Sequence, residues 1–373
     1  MIKYIILFLI LQCIIYYIFS KFIRKQYSPT KKKTYYRFNN KREFNRSEEI
    51  IEPFKSILNN NQIVKENVFS KADIIFFNLL IDYVHVGEIL TNLKKSLFIY
   101  GILSIDTFAS KSHLYTTLKQ TKNNTLLDLY TPKTYVVSNK KEVYNLIKNY
   151  KKGKLYILKK NVQKQKGLTI TNNLEYLKES FNNNYVVCQE LLTNPYLVNG
   201  YKINIRQYYV VIMKKQPRFY LYDDGFMYYT PKKFIKDSTD SERHITSGYV
   251  DRKMYELNPL SVQQFYKSIG DSKSKVIKEN LIKMFEFISE AYTKVLIEHD
   301  SNHHTNFIIL GADVAIDEDL NVKIMEINKG PDLSYKDERD KNVKINLAKC
   351  LFHELGFINH PHNNFINLNK KII

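Results

Sequence analysis

Residues 311–328 constrain this chain more than any other stretch. They read Gly-Ala-Asp-Val-Ala-Ile-Asp-Glu-Asp-Leu-Asn-Val-Lys-Ile-Met-Glu-Ile-Asn, two apolar runs on either side of a polar turn at 317–320. That is the pattern of a β-hairpin. Pairing Ile316 with Asn321 sets Asp313 opposite Ile324, and strand alternation then places Asp313, Ile324, Glu326 and Asn328 on one face. Two carboxylates and a carboxamide on an otherwise apolar surface cost free energy unless something cationic pairs with them. An all-oxygen set of ligands suits Mg²⁺ and the nucleotide phosphates it carries. The other reading is the solvated outer face of an edge hairpin, because alternation alone is common.

A chain of 373 residues holds one large domain or two to three small ones, and 44% hydrophobic with 14% aromatic content describes a globular protein. The net charge of +20, from 57 Lys and Arg against 37 Asp and Glu, favours a polyanion. Nucleic acid, anionic lipid and an acidic protein tail all qualify. Cys13, Cys188 and Cys350 are far apart and odd in number. They form neither a disulfide framework nor a metal spacing, which fits a reducing compartment.

Residues 4–23 are apolar except for Gln12, Cys13, Ser20 and Lys21, and about 20 residues is what a bilayer core requires. Lys21, Arg24, Lys25 and Lys31 to Lys33 follow the run, against Lys3 before it. The positive-inside rule then puts the bulk of the chain in the cytosol. No small-residue cleavage pattern follows, so residues 1–24 are expected to be a single-pass transmembrane signal anchor. Residues 25–45 read as a basic linker close to anionic headgroups.

Beyond the linker, strand-like stretches fall at 72–80, 131–137, 155–159, 185–192, 201–213 and 218–222, and helical ones at 88–95, 113–120, 142–150, 272–298 and 342–355. Their irregular alternation predicts an α/β or α+β fold. Within the strand at 201–213, Lys202, Asn204 and Arg206 share one face and Ile203 and Ile205 the other. A Lys and an Arg so placed suit a polyphosphate or a carboxylate, and an ordinary exposed sheet face fits equally well. Lys159 closes a strand before a polar loop that reaches Gly167, where loop amides can cradle a phosphate. The adjacent His303 and His304 point apart and read as surface or capping residues.

In order along the chain, these pieces resemble the tubulin–tyrosine ligase family, whose members have an ATP-grasp fold. Tyr156, Ile157, Leu158, Lys159 and Lys160, followed by Gly167, are similar to the family's W-I-x-K-P strand and glycine-rich loop. The family's V-x-Q-x-Y-I-x-x-P-L-L-I-x-G-x-K-F-D-x-R stretch is matched from Val187 and Gln189 through Pro195 and Gly200 to Lys202 and Arg206. Tyr220 to Gly225 resembles its Y-L-Y-R-E-G run, His244 to Ser247 its H-L-T-N, and Gly311, Asp313, Glu326 and Asn328 its G-x-D and E-V-N. The likeness spans about residues 70–358. It divides the chain into an N-terminal domain at 46–130 and central and C-terminal ATP-grasp parts at 131–192 and 193–373.

The resemblance implies roles. Lys159, Gly167 and Lys202 would contact ATP phosphates, and Gln189, Glu190, Leu191 and Leu192 would form the hinge around adenine. Asn204 would lie in the nucleotide environment, and Asp313, Glu326 and Asn328 would hold Mg²⁺, with Asn328 also near ATP. Arg206, Thr246, Ser247 and Lys344 would serve the free amino acid or the acyl-phosphate, Thr246 also lying at the phosphate end of ATP, and Arg206, Lys202 and Glu326 would be the catalytic set. Such ligases move the γ-phosphoryl group of ATP to a carboxylate, and an amine then attacks the acyl-phosphate. The basic surface suits an acidic protein substrate such as a tubulin tail.

Four positions depart from the pattern. Asn204 stands where the family has Asp, Tyr228 where it has Arg, Thr169 for the loop's second Gly and Lys160 for the strand's Pro. They keep a second function open, a catalytically inactive ATP-grasp-like binding module tethered to a membrane. A nucleic-acid role rests on charge alone and has no recognised motif behind it.

Overall fold

The computed structural model describes residues 33–37, 46–76, 95–102, 105–162, 167–247, 250–299 and 303–369. Its first strands are β1 (Thr34–Arg37), β2 (Val64–Lys65), β3 (Ile74–Phe76) and β4 (Phe98–Tyr100). A separate four-stranded antiparallel sheet follows, made of β5 (Thr134–Tyr135), β6 (Tyr156–Lys159), β7 (Leu168–Thr171) and β8 (Val187–Glu190), in the order β5-β8-β6-β7. The remaining strands are β9 (Leu197–Val198), β10 (Tyr201–Met213), β11 (Pro217–Tyr229), β12 (Thr305–Ile316), β13 (Val322–Asn328) and β14 (Phe365–Asn367). They join β1 to β4 in a ten-stranded sheet ordered β14-β11-β10-β12-β4-β3-β1-β2, with β13 beside β12 and β9 beside β10.

The large sheet is mixed. β1 to β4 pair in parallel with one another and with the start of β12, and the later strands pair antiparallel. Its centre is covered on both sides, which is why β10 and β12 carry near-continuous apolar runs rather than alternation. The helix Asp271–His299 packs on one face, where the Tyr209 and Ser289 hydroxyls hydrogen-bond at 2.9 Å and the Tyr209 and Phe285 rings lie 5.1 Å apart. Helices Arg46–Asn60 and Glu338–Glu354 cover the other, with Phe54 5.0 Å from Phe352 and the Tyr222 hydroxyl donating to the Val343 carbonyl. Each buried ring contributes about 1.5–3 kcal/mol of burial free energy. This is a mixed α/β architecture of helices on both faces of one sheet.

Several expectations hold with small shifts. The helices foreseen at 113–120, 142–150, 272–298 and 342–355 are Lys111–Gln120, Lys140–Lys148, Asp271–His299 and Glu338–Glu354. The last starts early because the Asp337 side chain caps it by accepting the Asp340 N–H. Others need correcting. Part of the stretch read as a linker is β1, paired in parallel with β2 and β3. Apart from that correction, β3 and β4, in the segment read as an N-terminal domain, lie in the same sheet as β12. His304 is buried, not on the surface, and its Nδ1 accepts the Leu97 N–H at 3.2 Å. The helix Val262–Ile269 went unread although Ser261 and Gln264 form a capping box at its start. Among the described residues no helix is long and apolar enough to cross a membrane. The span expected at 4–23 lies outside the described residues, as does nearly all of the helix expected at 88–95.

Candidate active site

The acidic hairpin is β12–β13, but its register differs from the simplest pairing. Ile316 pairs with Val322 and Val314 with Ile324, after which a shift brings Asp313 opposite Glu326 and Gly311 opposite Asn328. Met325 is the extra residue of a β-bulge, the device that re-aims side chains beside functional sites. The two carboxylates therefore face each other directly, with Asn328 following on the same side. Ile324, expected among them, is turned to the opposite face and is 2% exposed.

β10 supplies the next layer. Arg206 is in register with Phe226 on one side and Asp313 on the other. Its Nε donates to Asp313 Oδ1 at 2.6 Å and its Nη2 to Oδ2 at 3.1 Å, while its guanidinium carbon lies 4.8 Å from the centre of the Tyr228 ring. Gly311 makes room for this, since a Cβ there would stand 3.0 Å from an Arg206 nitrogen. The Asn328 amide donates to Glu326 Oε1 at 3.1 Å. Asn204 pairs across the strands with Tyr228, and its buried Oδ1 has no hydrogen-bond partner among the described residues.

Lys159, at the end of β6 in the small sheet, and Lys202, on β10, are 7% and 3% exposed. Burial lowers both ammonium groups to about 8; Glu326 and Asp313 pull Lys159 back up, and Lys159 depresses Lys202 further. Burial raises the Asp313 carboxyl to about 6, against the pull of Arg206 and with help from Glu326. Burial also pushes Glu326 upward, but Lys159, Lys111, the Asn328 amide and Arg206 outweigh it and hold Glu326 below its ordinary value. Arg206, Lys159 and Lys111 thus act on the two carboxylates, and Lys202 lies close enough to Lys159 to be depressed by it. An excess of positive charge, largely out of water, is a site for a polyanion.

Lys111 was not foreseen. It opens the helix Lys111–Gln120 and its Nζ donates to the Val162 carbonyl at 3.3 Å, tying that helix to the loop after β6. The loop is closed by the Lys160 N–H donating to the Gly167 carbonyl at 2.9 Å. Gly167 has φ +73°, and a Cβ there would fall 2.8 Å from both Lys160 and Val162. Two family departures meet beside this loop. Thr169 Oγ1 and the Tyr185 hydroxyl are 2.7 Å apart, and Lys160 Nζ lies 5.0 Å from the centre of the Tyr185 ring.

Gln189, Glu190, Leu191 and Leu192, expected from the resemblance to form the hinge around adenine, lie at the end of β8 and just after it. Gln189 Nε2 donates to Thr134 Oγ1 at 2.9 Å, and its buried Oε1 has no partner among the described residues. The Glu190 N–H already donates to Lys133 and the Leu191 N–H to Leu155, both at 2.9 Å, so these two amides are committed within the protein. Leu192 beside them is half-buried. Residues 244–247 bridge the sheets. The Ser247 N–H donates to the Tyr229 carbonyl at 3.0 Å, and Ile245 packs on Leu155, Ile157, Ile170 and Leu191. Thr246, between them, sits at the seam. Lys344 is buried, with Nζ 2.9 Å from Asp340 Oδ1 and 5.2 Å from the centre of the Phe226 ring. It thus reaches the Arg206 face through Phe226, with its ammonium already paired.

Among the described residues no group of three or more His, Cys, Asp or Glu is placed to hold a metal. The oxygen set is two carboxylates and the Asn328 amide. Two facing half-buried carboxylates, one with its proton affinity raised, fit a hard cation that brings phosphate ligands of its own.

A profile of the tubulin-tyrosine ligase family matches residues 106–364, more than two thirds of the chain. The chain belongs to the tubulin–tyrosine ligase family. Among curated proteins, it is similar to "Probable tubulin polyglutamylase TTLL9" of Bos taurus, 28% identical over 180 residues, or 46% of this chain and 38% of the relative. "Tubulin polyglutamylase TTLL6" of Homo sapiens is 26% identical over 236 residues, 54% of this chain and 26% of the relative. "Probable beta-tubulin polyglutamylase" of Tetrahymena thermophila is 25% identical over 300 residues, 72% of this chain and 24% of the relative. The chain spans well under half the length of these relatives. Every candidate residue from Lys111 to Lys344 lies inside the part matched to the tubulin–tyrosine ligase family, whereas β1 to β4 precede it.

Proposed function

We propose that this chain is an ATP- and Mg²⁺-dependent ligase that joins an amino acid to a carboxylate of an acidic protein tail, a tubulin tail being the first candidate. The observation that carries this reading is Asp313 facing Glu326 on the large sheet, with Lys159 from the small sheet interacting with both. Two sheets that grip a nucleotide at their seam are the ATP-grasp arrangement, and the polyglutamylase relatives favour glutamate as the amino acid.

Lys159, Lys202 and Lys111 would hold the phosphate oxygens, and Asp313, Glu326 and Asn328 would hold Mg²⁺. The metal, when bound, withdraws charge from the γ-phosphoryl group as it passes to the substrate carboxylate. Arg206 would stabilise the negative charge that builds on the phosphoryl and carbonyl oxygens, as a half-buried guanidinium does strongly. The incoming amine then bonds to the acyl carbon, phosphate leaves, and the amine gives up a proton. Thr246 and Ser247 at the seam, with Lys344 behind Phe226, would orient the amino acid. The apolar run at 4–23 would tether this site to the cytosolic side of a membrane.

Tail peptides rich in glutamate, incubated with Mg-ATP and single amino acids, test the reading by intact-mass spectrometry. A mass gain of one or more residues, absent in Lys159→Met, supports the ligase. Mg-ATP binding without any mass gain on any peptide favours the non-catalytic module, for which Asn204 and Tyr228 speak.

A further inference from the structure

Arg206 occupies the carboxylate that the metal needs. Both Asp313 oxygens accept from it, at 2.6 and 3.1 Å, in the side-on fork that makes Arg–carboxylate pairs strong. The strand register and two neighbours build this grip. The register sets the two residues opposite each other. Gly311 leaves the space, since a Cβ would stand 3.0 Å from a guanidinium nitrogen and 3.1 Å from the Arg206 Cδ. Tyr228 offers the guanidinium an aromatic face with its ring centre 4.8 Å away. Glu326, by contrast, is engaged by the Asn328 amide and faces Lys159, so it is not locked in the same way.

A divalent ion on Asp313 brings its charge against the guanidinium at close range, in a half-buried setting where repulsion is less screened than at the surface. We propose that Arg206 is the resident cation of the metal site. It holds Asp313 in the free protein, gives it up when the divalent ion binds, and is thereby released on its Tyr228 platform to take an anionic oxygen of the substrate. This rests on Asp313 being a metal ligand of the proposed ligase.

Two consequences follow from linkage. Metal affinity is reduced by the fraction of molecules in which Asp313 is held. The bound metal in turn raises affinity for the substrate anion, because it frees the group that binds it. The coupling is reciprocal: a substrate anion that takes the arginine from Asp313 raises metal affinity by the same factor.

The test is calorimetric titration of the full-length chain with Mg²⁺ alone and with Mn²⁺ alone, for the wild type, Arg206→Lys, Arg206→Gln and Asp313→Asn. Lysine keeps the charge but loses the fork, so Arg206→Lys is expected to bind metal about threefold tighter or more, and Arg206→Gln about tenfold tighter or more. Asp313→Asn is expected to lose binding. In the wild type, the Arg206 Nε–H resonance is expected to shift on saturation with Mg²⁺ as its bond to Asp313 breaks. Arg206→Lys binding no tighter than the wild type, or an Nε–H signal that ignores the metal, overturns the proposal while a loss in Asp313→Asn keeps the metal site. No binding of either ion by any folded form overturns the metal assignment and this inference together.

Discussion

Asn204 and Tyr228 are direct cross-strand partners on β10 and β11. Two of the four departures implied by the family resemblance thus fall on directly opposed positions. An acid and a base are replaced by an amide and a phenol, so the local charge is unchanged, and the new aromatic ring lies against Arg206 at 4.8 Å. Asn204→Asp and Tyr228→Arg are each expected to weaken Mg-ATP binding, and the double variant to recover most of it. The coupling should be about 1 kcal/mol or more in a double-mutant cycle, the range for residues in contact. Additive losses would show that the two changes are independent.

The buried lysines give the site a pH signature. Lys159 and Lys202 are lowered to about 8, below the value of an unfolded chain. From about pH 8 to about pH 10.4 the unfolded state therefore binds more protons, and stability rises with pH. Below that window both ammonium groups are charged and their full cost is present, so Lys202→Met should stabilise the free protein at pH 7 while weakening nucleotide binding. Bound phosphates favour the charged ammonium forms. Nucleotide binding at pH 8.5 should then take up protons, seen as an enthalpy that changes with the ionisation heat of the buffer. A buffer-independent enthalpy would contradict this.

Lys323 is a strut between the two sheets. From β13 its Nζ donates to the carbonyls of Asp128 and Leu129 at 2.9 Å and of Thr131 at 3.2 Å, closing the C-terminal end of the helix Asn124–Tyr130. That helix runs on into Lys133 and Thr134, which receive the hinge hydrogen bonds of Glu190 and Gln189. One ammonium thus links the hairpin that carries Glu326 to the hinge. Lys323→Met is expected to cost about 1–3 kcal/mol, from lost charge at a helix C-terminus and carbonyls left without donors. Thermal unfolding reads the loss, and a raised KM for ATP with little change in kcat would separate the strut from general destabilisation.

Much of the site was legible because strand alternation is strict. Lys202, Asn204 and Arg206 could be placed on one face because Ile203 and Ile205, both fully buried, demanded the other. Asp313, Glu326 and Asn328 were legible as a group for the same reason. Their register was not, because the bulge at Met325 answers to packing, with Ile324 and Ile327 both needing the core. Lys111 and Lys323 were invisible, since a lone lysine in a helix or strand leaves no pattern until the chain folds. β1 was read as linker because its partners β2 and β3 lie about 30 and 40 residues away, and no local signal records such parallel pairing.

Calorimetry with Mg-ATP on the wild type and on Glu326→Gln tests the centre of this account most directly. The expected result is binding that requires Mg²⁺, vanishes with a chelator, and weakens at least about tenfold in the variant, the equivalent of one lost charged hydrogen bond. A folded wild type that ignores Mg-ATP, or a variant that binds it equally well, would contradict the assignment of the facing carboxylates.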